Sequence, residues 1–143
     1  MDETKHIGQE INKVSSQIRR AIDHSIQQFG VSGMQARMLG YINRQSEFGE
    51  VYQTDIEKEF KIRRSSITSA MQCLENDGMI LRVSADSDGR KKKLIVTPKA
   101  DAIRLKVRIE IDKIENKFRE KLSDEEVEIL FTILEKISNE IND

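Results

Sequence analysis

The sequence contains few of the residues that build disulfide frameworks and metal sites. Its 143 residues include one Cys, two His, one Pro and no Trp. A single cysteine cannot form a disulfide within the chain, and Cys73, His6 and His24 are too small a set for a conventional zinc site. We therefore expect no metal ion and no bound cofactor.

Long apolar runs are also missing. No uninterrupted run approaches the roughly 20 residues that a membrane-spanning helix needs. The first residues, Met1-Asp2-Glu3, lack the basic and apolar regions of a signal peptide. We expect a cytoplasmic protein with no membrane partner.

Motifs of common enzyme classes are absent as well. There is no nucleophile elbow, no glycine-rich loop that would cradle a phosphate, and no Cys/His pair with convincing spacing. The abundant Asp and Glu residues lie on amphipathic stretches, where a solvated helix face is the simplest explanation. We therefore predict no catalytic residues and a function other than catalysis.

What the sequence does contain is a regular apolar period and a local excess of positive charge. Hydrophobic residues make up 37% and charged residues 34% of the chain, a balance that favours one mainly α-helical domain. Residues 58–98 hold nine Lys/Arg against five Asp/Glu, a net charge of +4, whereas the whole chain has −1. On charge alone, this segment is explained equally well by a face that contacts phosphates and by a solvated surface.

The N-terminal part is predicted to begin with two helices. Apolar residues at steps of three and four predict a first helix over about 7–29, which Gly30 ends. Ser32 and Gln35 form a capping box for a second helix over about 33–45.

A short strand and a third helix are predicted next. Residues 51–53 are typical of a single edge strand. Thr54 and Glu57 have the spacing of another capping box, which predicts a short helix ending near Phe60.

A helix-turn-helix is predicted around a turn at residues 61–63. The helix after this turn has Ile67, Met71 and Leu74 on one face, and its opposite face carries Arg, Ser, Thr and Gln. Such side chains can clamp guanine, pair with adenine or reach phosphates, whereas a plain solvent face would usually carry Glu and Lys. The residues predicted to contact DNA are Arg63, Arg64, Ser65, Ser66, Thr68, Ser69 and Gln72.

A β-hairpin is predicted to follow this helix. Strands over 79–83 and 94–96 flank a polar segment with a turn signal at Asp88-Gly89. The cations after this turn suit a wing that reaches toward a minor groove or its bordering phosphates. The predicted contacts are Arg90, Lys91 and Lys92.

The C-terminal third predicts two long helices. Thr97 is the expected N-cap of the first and Pro98 its first residue, and Ser123 with Glu126 forms the capping box of the second. The apolar stripes of the terminal helices need each other and favour a second copy of the chain. The residues predicted to face inward on the last helix are Val127, Leu130, Leu134, Ile137 and Ile141.

This order of elements resembles the MarR (multiple antibiotic resistance regulator) family of bacterial winged-helix transcription factors over nearly the whole chain. Residues 67–80 are similar to the family's recognition helix and its exit, and Asp88-Gly89-Arg90 matches its Asp-x-Arg wing motif. Residues 93–100 are similar to the segment that leaves the wing. The resemblance implies a single MarR-like domain over 1–143, with dimerisation helices over 1–30 and 98–143 and a winged helix-turn-helix DNA-binding lobe over 32–97.

The resemblance also implies partners. Members of the family act as homodimers, and many are repressors released by small phenolic or other amphipathic ligands bound between the dimerisation helices and the DNA-binding lobe. The implied partners are a pseudo-palindromic double-stranded DNA operator, a second copy of the chain and a small effector of that kind. Asp88 would support the wing, and Arg90 would also reach DNA.

The chain departs from the family at the start of the recognition helix, where Arg63 aligns with the usual Ser N-cap. We expect the helix to be capped by Ser65 or by backbone alone. Cys73 is interpreted as a packing residue rather than a redox switch, and His24 as an ordinary helix histidine rather than a pH-sensitive group.

Two hypotheses therefore remain for the basic face. The first is a dimeric, sequence-specific transcription regulator, a repressor that a small ligand relieves. The alternative is a winged-helix module that docks on an acidic protein and does not bind DNA, since the same fold serves different functions.

Overall fold

The computed structural model describes residues 5–85 and 90–142. These contain six α-helices, a 3-10 turn and one two-stranded antiparallel sheet, and they confirm the predicted mainly α winged-helix fold. The elements in chain order are α1 (Ile7–Ile26), the 3-10 turn (Gln27–Phe29), α2 (Gly33–Gln45), α3 (Gln53–Phe60), α4 (Arg64–Asn76), β1 (Ile80–Ser84), β2 (Lys92–Val96), α5 (Pro98–Lys121) and α6 (Asp124–Ile141).

Local capping chemistry fixes most of the helix ends. Ser32 and Ser123 each accept a hydrogen bond from the backbone N–H three residues later, and the Gln35 and Glu126 side chains return one to the N-cap backbone. Gly30, which follows the 3-10 turn, has φ 78°, a left-handed conformation that glycine adopts without a Cβ penalty. These ends lie where the sequence predicts them.

The start of α3 differs from the prediction. Its N-cap is Tyr52, whose backbone N–H donates to Asp55 Oδ2 at 2.8 Å, so Gln53 and Thr54 are already helical. The predicted Thr54/Glu57 capping box is therefore wrong. In place of the edge strand predicted over 51–53, the structure has a single antiparallel β-bridge between Tyr52 and Lys93.

The core lies inside the lobe formed by α2, α3, α4 and β1. Helices α1 and α5 close it from one side, where Ile26, Ala100 and Val107 are buried. Burial of these apolar side chains away from water is the main contribution to the stability of the folded single chain. The large side chains that are fully buried are Ile26, Met38, Leu39, Ile42, Ile56, Ile67, Met71, Leu74 and Ile80.

Helix α6 contributes nothing to that core. It has no buried residue, and Leu130 and Leu134 of its predicted inward stripe are 42% and 39% exposed. Ile141 is also exposed, and of this stripe only Val127 and Ile137 are half-buried among the described residues. The prediction that the whole stripe is inward is therefore wrong for a single chain. Among the described residues, no helix is both long and apolar enough to cross a membrane.

Candidate nucleic-acid interface

The turn between α3 and α4 is tight because one residue adopts a left-handed conformation. Lys61, the C-cap of α3, has φ 48° and ψ 39°. Arg63 is the N-cap of α4 and makes no side-chain capping bond, while its carbonyl accepts from the N–H groups of Ser66 and Ile67 at 3.0 and 3.1 Å. From the sequence, this helix is expected to be capped either by Ser65 or by backbone groups alone. The structure shows capping by backbone groups alone.

Helix α4 has one buried and one exposed face, as predicted. Ile67, Met71 and Leu74 are buried against the lobe core. The predicted contact residues of this helix and its N-cap share one property, which is exposure to solvent. They are Arg63, Arg64, Ser65, Ser66, Thr68, Ser69 and Gln72.

Cys73 lies on the exposed part of the same helix. The interpretation as a packing residue is therefore wrong. At about 100° per residue, position 73 is turned by roughly 200° from the buried Met71. His24 on α1 is exposed, as expected of an ordinary helix histidine.

Two side chains of α3 contact two of the predicted residues on α4. Glu57 Oε1 lies 3.2 Å from Arg64 Nε, and Gln53 Nε2 donates to Thr68 Oγ1 at 3.0 Å. Sequence reasoning missed both partners. The available signal was their spacing, since both pairs of residues are four apart and so lie on one face of each helix.

The wing is a hairpin in which β1 and β2 pair from Ile80 with Val96 to Ser84 with Lys92. Its outer cations differ in their surroundings. Lys92 Nζ donates to Ser84 Oγ at 3.4 Å, and Lys91 Nζ lies 5.3 Å from the ring centroid of Tyr52. Arg90, Lys91 and Lys92 are exposed, as a phosphate-contacting group must be. Asp88 lies outside the described residues, so its predicted role stays a prediction.

The base of the wing is held by an ion pair and hydrogen bonds. Lys93 Nζ lies 3.9 Å from Glu50 Oε1, and the Tyr52 hydroxyl donates to the other Glu50 carboxylate oxygen. The N–H of Leu94 donates to the Val51 carbonyl at 2.7 Å. Lys93 is therefore part of the hairpin's support.

The end of α4 is connected directly to the start of α5. Gly78, at φ 74°, allows the N–H of Met79 to reach the Leu74 carbonyl at 2.8 Å. Thr97 Oγ1 donates to the Gly78 carbonyl and Lys99 Nζ to the Asp77 carbonyl, both at 2.6 Å. Helices α4 and α5 are thus joined through one short hydrogen-bonded segment.

A cleft of about 760 Å³ opens between α1, α2, α3 and α5. Its wall combines apolar side chains with four arginines and two carboxylates. Burial raises the pKa of the Tyr41 phenol in this wall, and the nearby Glu59 and Asp55 carboxylates raise it further, so the phenol stays neutral. The charged lining residues are Arg37, Arg44, Glu59, Asp101, Arg104 and Arg108.

Only some of these arginines are paired. Arg104 lies 3.3 Å from Asp101 and Arg108 lies 3.8 Å from Asp112. Within the part of the chain that the structure describes, Arg37 and Arg44 on α2 have no carboxylate within ion-pair distance. The cleft therefore carries positive charge next to an apolar wall.

Within residues 5–85 and 90–142, no three His, Cys, Asp or Glu side chains are grouped closely enough to hold a metal ion.

Comparison with known proteins finds a match to one family model and several solved structures with the same fold. Residues 29–91 match the MarR family. The transcription regulator MarR from Oenococcus oeni PSU-1 is 27% identical, with a TM-score of 0.68 over 94% of this chain and 99% of that one. Staphylococcus aureus MepR in its DNA complex is 20% identical, with a TM-score of 0.79 over 96% of this chain and 97% of that one.

A third structure is a mutant MarR from E. coli complexed with operator DNA. It is 17% identical, with a TM-score of 0.77 over 92% of each chain. These structures share the order of helices and the wing described above over nearly the whole length.

Proposed function

We propose that the chain is a member of the MarR family of winged-helix proteins, whose model matches residues 29–91, and that it is a homodimeric transcription regulator that binds double-stranded DNA sequence-specifically. The family consists of transcription regulators and not of enzymes, so the predicted absence of catalysis is confirmed at the level of the family. A cytoplasmic location, where the protein would meet its operator, is part of the same proposal.

One observation carries this proposal. The polar face of α4 is exposed along its length, and the exposed cations of the wing belong to the same lobe. An α-helix fits the major groove, where Arg and Gln side chains can read base edges. Cations on the wing contribute phosphate contacts, which supply affinity without reading sequence.

The homodimer is supported by the surfaces of the terminal helices. Large apolar side chains on α5 and α6 are exposed in the single chain, among them Leu105 at 70% and Phe131 at 57%. A second copy, related by two-fold symmetry, would cover such stripes on both chains at once. We assign dimerisation to residues 1–30 and 98–143, and DNA binding to the lobe over 32–97.

Sequence-specific binding is tested by selecting bound duplexes from a random pool. Enrichment of one motif supports the proposal, because a basic surface alone enriches no particular sequence. Absence of enrichment, together with a protein partner that stays bound after nuclease treatment, would support the protein-docking alternative instead.

We further propose that binding represses transcription and that a small amphipathic effector relieves it. The cleft between α1, α5 and the lobe supplies a site of suitable size, since small-molecule pockets commonly have about 300–1,000 Å³. Arg37 and Arg44, which form no ion pair among the described residues, favour an effector with an anionic group on an apolar or aromatic body, including a phenolate or an aromatic carboxylate.

This assignment predicts how charge determines effector action. A naphthalene carboxylate should lower the affinity of the protein for its selected duplex, whereas a naphthalene amine of the same size should not. In the Arg37→Ala/Arg44→Ala double variant the carboxylate should act only at concentrations higher by about tenfold or more, as lost charge-assisted hydrogen bonds require. The measurement is duplex affinity by fluorescence anisotropy as a function of each compound.

The matched control is Arg19→Ala/Arg20→Ala, which removes the same charge from exposed positions of α1 that do not line the cleft. Equal responses to the carboxylate and the amine would contradict the proposed effector class.

A further inference from the structure

The recognition surface depends on two residues of α3 that neither the sequence nor the family match assigns to DNA binding. We infer that Gln53 and Glu57 are positioning residues, which hold Thr68 and Arg64 in the conformation that reads base pairs. We call the four residues Gln53, Glu57, Arg64 and Thr68 the α3–α4 clasp. The inference rests on the proposed function and adds a determinant of its specificity.

Glu57 is placed to orient Arg64 without covering it. The Glu57 side chain is 20% exposed and is held by the helix that packs beside α4, whereas the Arg64 side chain is 83% exposed. Their contact joins Glu57 Oε1 to Arg64 Nε. In the described residues the two terminal guanidinium nitrogens have no protein partner, so both remain available for the O6 and N7 acceptors of a guanine.

Gln53 has the same relation to Thr68. Its side-chain amide donates to Thr68 Oγ1, so the hydroxyl uses one acceptor site for the protein and keeps its proton for a further partner. The hydroxyl of Thr68 can therefore donate to a base acceptor or a phosphate oxygen. Because Gln53 and Glu57 are one turn apart on α3, one rigid helix sets both side chains of α4.

This arrangement lowers the entropic cost of binding. A free arginine samples many rotamers, and fixing a side chain of this kind at an interface costs about 0.5–1.5 kcal/mol, which corresponds to roughly two- to tenfold in affinity. If the clasp already fixes the Arg64 side chain in the free protein, DNA binding no longer has to reduce the conformational entropy of that side chain. The gain in affinity applies only to duplexes that carry the base that Arg64 contacts.

Bulk electrostatics make the opposite prediction for Glu57. A carboxylate near DNA repels phosphates, so its removal should tighten binding to every sequence. If Glu57 orients Arg64, its removal should instead reduce the preference for the selected operator over a mismatched one. A loss of discrimination therefore indicates that Glu57 orients Arg64, whereas an equal gain in affinity for every duplex, with unchanged discrimination, indicates bulk electrostatics alone.

The test compares Glu57→Ala with Glu47→Ala, which removes the same charge from an exposed loop position of the same lobe that has no side-chain hydrogen bond or ion pair among the described residues. Affinities are measured for the selected duplex and for duplexes changed at one base pair at a time. Glu57→Ala should reduce discrimination by about two- to tenfold at the base pair where Arg64→Ala also reduces it. Glu47→Ala should leave the ratio unchanged.

The double variant Glu57→Ala/Arg64→Ala completes the cycle. It should discriminate no less than Arg64→Ala alone, since Glu57 acts only through Arg64. Should Glu57→Ala be too unstable to assay, Glu57→Gln replaces it, and a smaller loss at the same base pair is expected because the amide oxygen can still accept from Nε.

Two results would overturn the inference. If the unchanged protein discriminates among duplexes and Glu57→Ala behaves like Glu47→Ala, or loses discrimination additively with Arg64→Ala, the clasp has no positioning role and the proposed function stands. If the unchanged protein shows no sequence preference, both the inference and the proposed function fail.

Discussion

An aspartate in place of Leu134 is expected to convert the protein into monomers that bind duplex DNA weakly. Leu134 lies on the apolar stripe of α6 and is 39% exposed in the single chain, so its substitution leaves the lobe core intact. At a dimer interface the same aspartate would be an uncompensated buried charge, and the dimer should lose at least about 2 kcal/mol, roughly thirtyfold in dissociation constant.

The affinity for the operator should fall by a larger factor than the dissociation constant of the dimer rises. A monomer can occupy only one half-site, and it forgoes the second, intramolecular contact that a dimer makes. We expect operator affinity to fall by about a hundredfold or more. Sedimentation equilibrium measures the dimer, and anisotropy with the selected duplex measures the binding.

Asn139→Asp is the matched control, because it adds the same charge at an exposed polar position of α6. It should leave both quantities nearly unchanged. A Leu134→Asp protein that remains fully dimeric, with unchanged helical content, would show that α6 does not form the interface.

Removal of one arginine from α4 and of one lysine from the wing should have different effects on DNA binding. Arg64→Ala should cost about 1–3 kcal/mol on the selected operator and much less on duplexes altered at the base pair that it reads. Lys92→Ala should weaken all duplexes alike and lower the slope of log affinity against log salt by about 0.9 for each protomer.

The contrast follows from the surroundings of the two side chains. Arg64 is the first residue of α4, whereas Lys92 is an exposed strand residue whose Nζ lies 3.4 Å from Ser84 Oγ. Affinity titrations at several salt concentrations measure both effects. Equal losses on all sequences from both variants would contradict base reading by Arg64.

Much of the fold could be predicted because most helix ends depend on residues within four positions of one another. The boxes at Ser32 and Ser123 and the Thr97 cap operate wholly within such short segments. The start of α3 differs from the prediction because the spacing of Thr54 and Glu57 fits a capping box, whereas the actual N-cap is Tyr52. The Asp55 carboxylate accepts a hydrogen bond from the Tyr52 N–H at the start of this helix. Glu57 instead forms an ion pair with Arg64 of α4.

The features that the sequence could not supply are those that depend on contacts across the chain or between chains. The stacking of Lys91 on Tyr52 joins segments 39 residues apart, and no short pattern reports it. The exposure of Cys73, by contrast, follows from the predicted phase of α4, because burial of Ile67, Met71 and Leu74 turns position 73 by roughly 200° from Met71. The apolar stripe of α6 was recognised correctly as a sequence pattern, but its burial requires a surface that one chain does not have.

The most direct test of the proposed function is the symmetry and stoichiometry of the complex with a duplex selected from a random pool. Two inverted half-sites with centres about 10 base pairs apart, or a multiple of one helical turn, and two chains per duplex by native mass spectrometry are the predicted result. An asymmetric motif bound by one chain, or a pool in which no sequence is enriched, would contradict a dimeric, sequence-specific regulator.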